Sequence, residues 1–121
     1  MKTTNYEISK QLKEAKFAYE YDCGYTPRGK LIDIQEQMGA YHIQVPSFCL
    51  ETIVDALPLK IGGYGYFSIG VRKDNPSMPF AVGYNLECDE DYGILFCDKI
   101  KNESLADTAA RLWLKLKEKG I

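Results

Sequence analysis

Among the residues of this 121-residue chain that could do chemistry, two tyrosines are the best placed. Tyr64 and Tyr66 alternate with Gly65 and Phe67, so a β-strand here would carry both rings on one side and Phe67, Ile69 and Val71 on the other. Exposed rings on a sheet do not break bonds. They stack on nucleobases or fill a partner's pocket. Tyr64 and Tyr66 are therefore candidate partner-binding residues, and no catalytic, cofactor-binding or metal-ligating residue is assigned beside them.

The other reactive side chains lack company. His42 is the single histidine, and no nucleophile or orienting acid lies near it in sequence, so it reads as a surface residue. Cys23, Cys49, Cys88 and Cys97 are scattered, without a C-x-x-C pair or a neighbouring histidine. That spacing reads as reduced thiols in place of a metal site or a disulfide framework. Glu87, Asp89, Asp91 and Asp98 imitate a calcium loop, but Gly93 comes one position late and the flanks read as strands, not helices. Gly62-Gly63-Tyr64-Gly65 runs into a strand, which is wrong for cradling phosphate at a helix N-terminus. The same stretch partly resembles the aromatic signature of RNA-recognition motifs, with Gly62 where a base belongs and Ile69 where an aromatic belongs. Arg111, Lys115 and Lys119 form a basic ridge on the last helix that reads as its solvated side.

A chain that is 45% hydrophobic and 26% charged folds around a core of its own, and its length suits one domain, 1–121. A net charge of −2 gives no general electrostatic reason to seek nucleic acid or an anionic membrane. The N-terminus lacks a signal peptide's apolar run, and no segment reaches the ~20 apolar residues of a membrane span. The cytoplasm is the expected compartment, and no cofactor is expected.

Three helices must position whatever site exists. Thr4 with Glu7 reads as a capping box, opening a helix over about Asn5–Lys16. Ser47 is the expected cap of a second helix carrying Leu50, Ile53, Val54 and Leu57, closed by Pro58. Ser104, with Asp107 three residues on, caps the third, whose stripe is Leu105, Ala109, Leu112 and Leu116, widened by Ala106 and Trp113. Asp107, Arg111 and Lys115 should face water. Strands are expected at Phe17–Cys23, Tyr41–Val45, Tyr64–Val71, Phe80–Leu86 and Ile94–Cys97. Residues 31–38 fit either the return strand of a hairpin turning at Gly24–Gly29 or two helical turns stopped by Gly39; the strand is adopted. The expected fold is α+β in the order α-β-β-(β)-α-β-β-β-α, with one antiparallel sheet of about five to six strands and the helices packed on one face.

The three helical segments, YEISKQLKEAKF, IQVPSFCLETIVDAL and SLADTAARLWLKLKEKG, resemble a set of uncharacterised small proteins of phages, prophages and mobile elements, notably of gut bacteria. Their shared motifs are structural, so the resemblance implies an accessory role without naming a site. The functional expectation is a non-catalytic protein acting by protein–protein interaction or self-association. Single-stranded nucleic-acid binding through Tyr64 and Tyr66 is the first alternative, and a small-molecule enzyme the second.

Overall fold

The structure is a computed structural model that describes residues 2–39, 41–61, 65–71, 80–84, 96–99 and 103–120. Its organising element is the last helix, α3 (Leu105–Glu118). The Ser104 hydroxyl accepts the Asp107 N–H at 3.1 Å, and the Asp107 carboxylate accepts the Ser104 N–H at 3.1 Å, completing the capping box. Ala106, Ala109, Leu112 and Leu116 are buried, and Trp113 is half-buried with its ring edge-on to Phe17 at 4.8 Å. The expected wet face is corrected at its start: Asp107 is 3% exposed and Thr108 fully buried. Neighbouring backbone covers them. The Asn5 N–H, just ahead of α1 (Tyr6–Glu14), donates to Asp107 Oδ1 at 2.7 Å. The Thr108 hydroxyl donates to Glu103 Oε1 at 2.7 Å, and Arg111 closes on the same carboxylate at 2.6 and 3.0 Å. Burial alone would lower the Arg111 pKa, but the hydrogen bond and charge of Glu103 outweigh it and raise it.

At the other end of the chain the cap is Asn5, whose Oδ1 accepts the Ile8 N–H at 2.8 Å. Thr4 was expected there. It is instead a buried hub: its carbonyl accepts the hydroxyls of Ser47 at 2.6 Å and Tyr25 at 3.0 Å, while its own hydroxyl takes the Phe48 N–H at 3.1 Å. Ser47 is thereby drawn inward, and Cys49 stands at the N-cap of α2 (Leu50–Ala56) without a side-chain bond to the helix's amides. Helix α1 ends in a Schellman motif, with the Lys16 N–H on the Lys13 carbonyl and the Phe17 N–H on the Leu12 carbonyl. The left-handed position is filled by Lys16 at φ 63°, where glycine is the usual residue.

That ending explains why the strand expected at Phe17–Cys23 starts late. The Phe17 amide is spent on the helix and its ring on Phe48 and Trp113, so pairing begins only at β1 (Cys23–Tyr25). β1 is the centre of an antiparallel sheet, flanked by β2 (Leu31–Asp33) and β3 (Val45–Ser47). The strand reading of residues 31–33 holds, followed by a single 3₁₀ turn at Ile34–Glu36. β3 begins later than Tyr41 and contains Pro46, which was expected to end it. A Cβ on Gly24 would collide with Ile43 Cγ2 and come within 2.7 Å of the Val45 carbonyl oxygen, so glycine is required for this close approach. Beyond β3 the chain pairs with its own N-terminus through an isolated bridge between Thr3 and Cys49, and among the described residues no further strand joins this sheet.

The remaining strands form a second antiparallel sheet, β4 (Lys60–Ile61), β5 (Gly65–Val71), β6 (Phe80–Tyr84) and β7 (Phe96–Asp98), in sequential order. The expected single sheet of five to six strands is thus two sheets among the described residues, and the helices divide between them. α1 packs on β3, whereas α3 lies over β6 and β7. Val82, Tyr84 and Cys97 are buried beneath α3, and Phe67 packs edge-on to Tyr84 at 5.7 Å. Ile69, paired with Val82, is 43% exposed because β5 lies outside the helix's cover. No helix among the described residues is long and apolar enough to cross a membrane.

Candidate functional site

The segment Tyr41–Gln44 lies between two depressions and lines both. Tyr41 and His42 wall a hollow of about 520 Å³ at the β1–β2 hairpin tip, completed by Thr26, Pro27, Arg28 and Lys30. Ile43 and Gln44 wall a second hollow of about 410 Å³, floored by Phe17, Pro46 and Phe48 and rimmed by Lys13, Lys16, Tyr19 and Tyr21. Together they carry four permanent cations and a histidine, and among the described residues no carboxylate lines either.

Local chemistry builds each part. The turn of the hairpin closes with the Thr26 N–H on the Lys30 carbonyl at 2.8 Å and Gly29 at φ 83°. Lys30 Nζ lies 5.4 Å from the centre of the Tyr41 ring, and hydrogen bonding to the Tyr41 side chain raises its pKa, which holds the cation. Lys13 donates to the Gln44 carbonyl at 2.8 Å, and the Gln44 N–H donates to the Tyr25 carbonyl at 2.9 Å. Helix α1 and the connecting segment are thereby pinned across the groove. Tyr19 and Tyr21 are 48% and 36% exposed, yet each leans on a buried ring, Phe17 at 4.5 Å and Phe48 at 6.2 Å. Rings with such backing present fixed flat surfaces to solvent.

The opposite polarity collects elsewhere. A cleft of about 330 Å³ is lined by Glu20, Asp22 and Asp33 with Cys23, Cys49 and Tyr21, the last shared with the second hollow, and among the described residues by no cation. Cys23 Sγ is 3.7 Å from Thr3 Oγ1 and Cys49 Sγ is 3.3 Å from Thr52 Oγ1. Cys23 and Cys49 are free thiols, Cys97 is buried, and Cys88 lies outside the described residues.

Of the residues singled out in the sequence, Tyr64 lies outside the described residues, and so does the side chain of Tyr66, whose backbone pairs with Lys60 in β5. The surface these two would form is therefore not placed. His42 is exposed, as expected, and joins the groove's cations. The acidic run at 87–91 lies outside the described residues, and among those described no group of three or more ligating side chains is placed to hold a metal. The expected ridge on α3 is broken, because Arg111 turns to Glu103. Sequence reading missed Tyr19 and Tyr21, having placed both in a strand. The available signal was their setting between Lys13–Lys16 and Arg28–Lys30 in one short stretch of chain. No protein-family profile, curated protein or solved structure matches the chain.

Proposed function

We propose that this chain is a non-catalytic binding protein, of the accessory kind its helices resemble, and that it holds an anionic partner in the groove between α1, the hairpin tip and the Tyr41–Gln44 segment. One observation carries the reading: Lys13 and Lys16 rim one depression and Arg28 and Lys30 line the next, the Tyr41–Gln44 segment walls both, and among the described residues no carboxylate lines either. Four cations lining two neighbouring hollows of a protein of net charge −2 favour a negatively charged partner there. Among the described residues, Arg28, Lys30 and Tyr41 line the hollow of His42 and no carboxylate does, which supports binding over catalysis.

Chromatography on an immobilised polyanion tests this directly. At neutral pH a protein of isoelectric point 5.4 should pass through, so retention would report a local positive field. Retention is expected for the wild type and for Lys119→Glu, and is expected to vanish for Lys16→Glu and Arg28→Glu. Flow-through of the wild type at low salt would remove the proposal.

Head-to-tail self-association is the second reading, favoured by the acidic cleft of Glu20, Asp22 and Asp33 on the same protein. It predicts concentration-dependent sedimentation at low salt that Lys16→Glu abolishes. A monomer at every concentration ends it.

A further inference from the structure

We infer that the occupant of this groove is single-stranded nucleic acid, an inference that rests on the groove being the docking surface proposed above. Proteins that bind single strands without reading sequence combine a cationic track for the backbone with aromatic faces for the bases. Both are here, in two hollows walled by the one Tyr41–Gln44 segment. Lys13, Lys16, Arg28 and Lys30 supply the track, and Tyr19 and Tyr21 supply the faces. Their backing by Phe17 and Phe48 fixes the ring orientation before binding, so stacking loses little side-chain entropy.

Three further observations select this partner. A duplex would bury its base faces and leave the tyrosines nothing to stack on, whereas unpaired bases expose them. An acidic polypeptide would satisfy the cations but has no need of two exposed rings set among them. Lys16 keeps a left-handed backbone at φ 63°, where glycine would be less strained, and by doing so keeps a cation on the rim. Glu20, Asp22 and Asp33 line an acidic cleft that shares only Tyr21 with the hollow of Lys13 and Lys16, so Tyr19 is the ring set wholly among cations. Attraction of a strand depends on the local field, not the sum.

The experiment is fluorescence anisotropy with short labelled oligothymidylate and oligouridylate on the full chain, paired with amide chemical-shift mapping. With four cations engaged, log affinity should fall against log salt with a slope of about −3, at roughly 0.7 per neutralised phosphate. Lys13→Gln and Arg28→Gln should each reduce that slope by about 0.7. Tyr19→Ala and Tyr21→Ala should each weaken binding by roughly five- to hundredfold, while Tyr19→Phe restores it. A thermal melt of each variant separates lost stacking from lost folding. If polyglutamate shifts the amides of residues 13–21 and 28–30 and the oligonucleotides do not, the groove stands and this occupant is wrong. If a duplex of equal length binds as tightly as the single strand, the stacking argument fails. Oligonucleotide binding that shifts other residues overturns the docking surface itself, and no binding by either polymer at low salt overturns both.

Discussion

Replacing Asp107 by alanine should be among the most damaging single changes in this protein, although its place in the sequence reads as a solvated turn of helix. The carboxylate is 3% exposed and accepts three hydrogen bonds: from the Asn5 N–H at 2.7 Å, the Ser104 hydroxyl at 3.0 Å and the Ser104 N–H at 3.1 Å. Bonds to a charged acceptor are worth about 1.5–3 kcal/mol each, but they share one group and do not add fully. Alanine also strands two main-chain donors and removes half the capping box, so the expected loss is about 3–4 kcal/mol. For a chain of this size that corresponds to a fall in Tm of roughly 10–15 °C. Asp107→Asn keeps one oxygen but sets an NH₂ donor against a donor, and should lie between wild type and alanine at about 1–2 kcal/mol. The assay is urea unfolding followed by the single tryptophan, Trp113, which reports the contact of α3 with Phe17. Lys119→Ala, on the exposed last turn, should stay within about 0.5 kcal/mol. Should Asp107→Ala match Lys119→Ala, the latch between the two helix N-termini does not hold the fold as described.

Other substitutions probe the backbone and the buried hydroxyls. Gly24→Ala drives a methyl into Ile43 and the Val45 carbonyl and should cost about 2–3 kcal/mol, with hydrogen exchange rising first at the Gln44 amide that bonds to Tyr25. Lys16→Gly should relieve left-handed strain and stabilise by about 0.5–1 kcal/mol in denaturant, whereas Lys16→Ala, still strained, should gain nothing. Tyr84 is fully buried, donates to the Pro58 carbonyl at 2.7 Å, and is pushed by burial from 10.0 to about 12. A folded pKa above the unfolded one means its contribution is complete below pH 10 and is lost as pH rises through 12, a loss of up to ~2–3 kcal/mol. Tyr84→Phe should cost about 1 kcal/mol at neutral pH and flatten that alkaline decline, leaving the smaller part due to Tyr25, whose pKa burial also raises.

What the sequence made legible was local. The Ser104 cap, the Leu and Ala stripe of α3, the second helix and the hairpin over residues 23–33 all follow from spacings of four residues or fewer, and all are present. The misreadings share one cause, a residue whose local pattern had a plausible use while its real partner lay far along the chain. Thr4 fits a capping box with Glu7, but its hydroxyl and carbonyl are taken by Phe48 and Ser47. Asp107 does serve its local cap, and nothing nearby in sequence announces the Asn5 amide 102 positions away. Tyr19 and Tyr21 alternate as a half-buried strand should, but alternation cannot show that the Phe17 amide is already committed to closing a helix. The pairing just past β3 was hidden for the same reason, since the bridge partner of Cys49 is Thr3, near the start of the chain.

These long-range bonds also decide how rigid the groove can be. Lys13, Lys16, Tyr19 and Tyr21 ride on α1 and the chain just after it, while Ile43, Gln44 and Arg28 ride on the three-stranded sheet, so the groove's width is the distance between those two bodies. Three ties set it. The Thr4 hub joins the start of α1 to β1 and β3, the Lys13–Gln44 bond spans the middle, and Phe17 anchors the far end against Phe48. Asp107 then fixes the start of α1 to the central helix. Of these, only the Lys13 bond is exposed and open to competition from solvent or ligand. An anion that draws Lys13 toward itself gives up one modest hydrogen bond while the buried ties keep the walls in place. On the proposed reading, the groove would take hold of a charged strand without reorganising the fold that presents it.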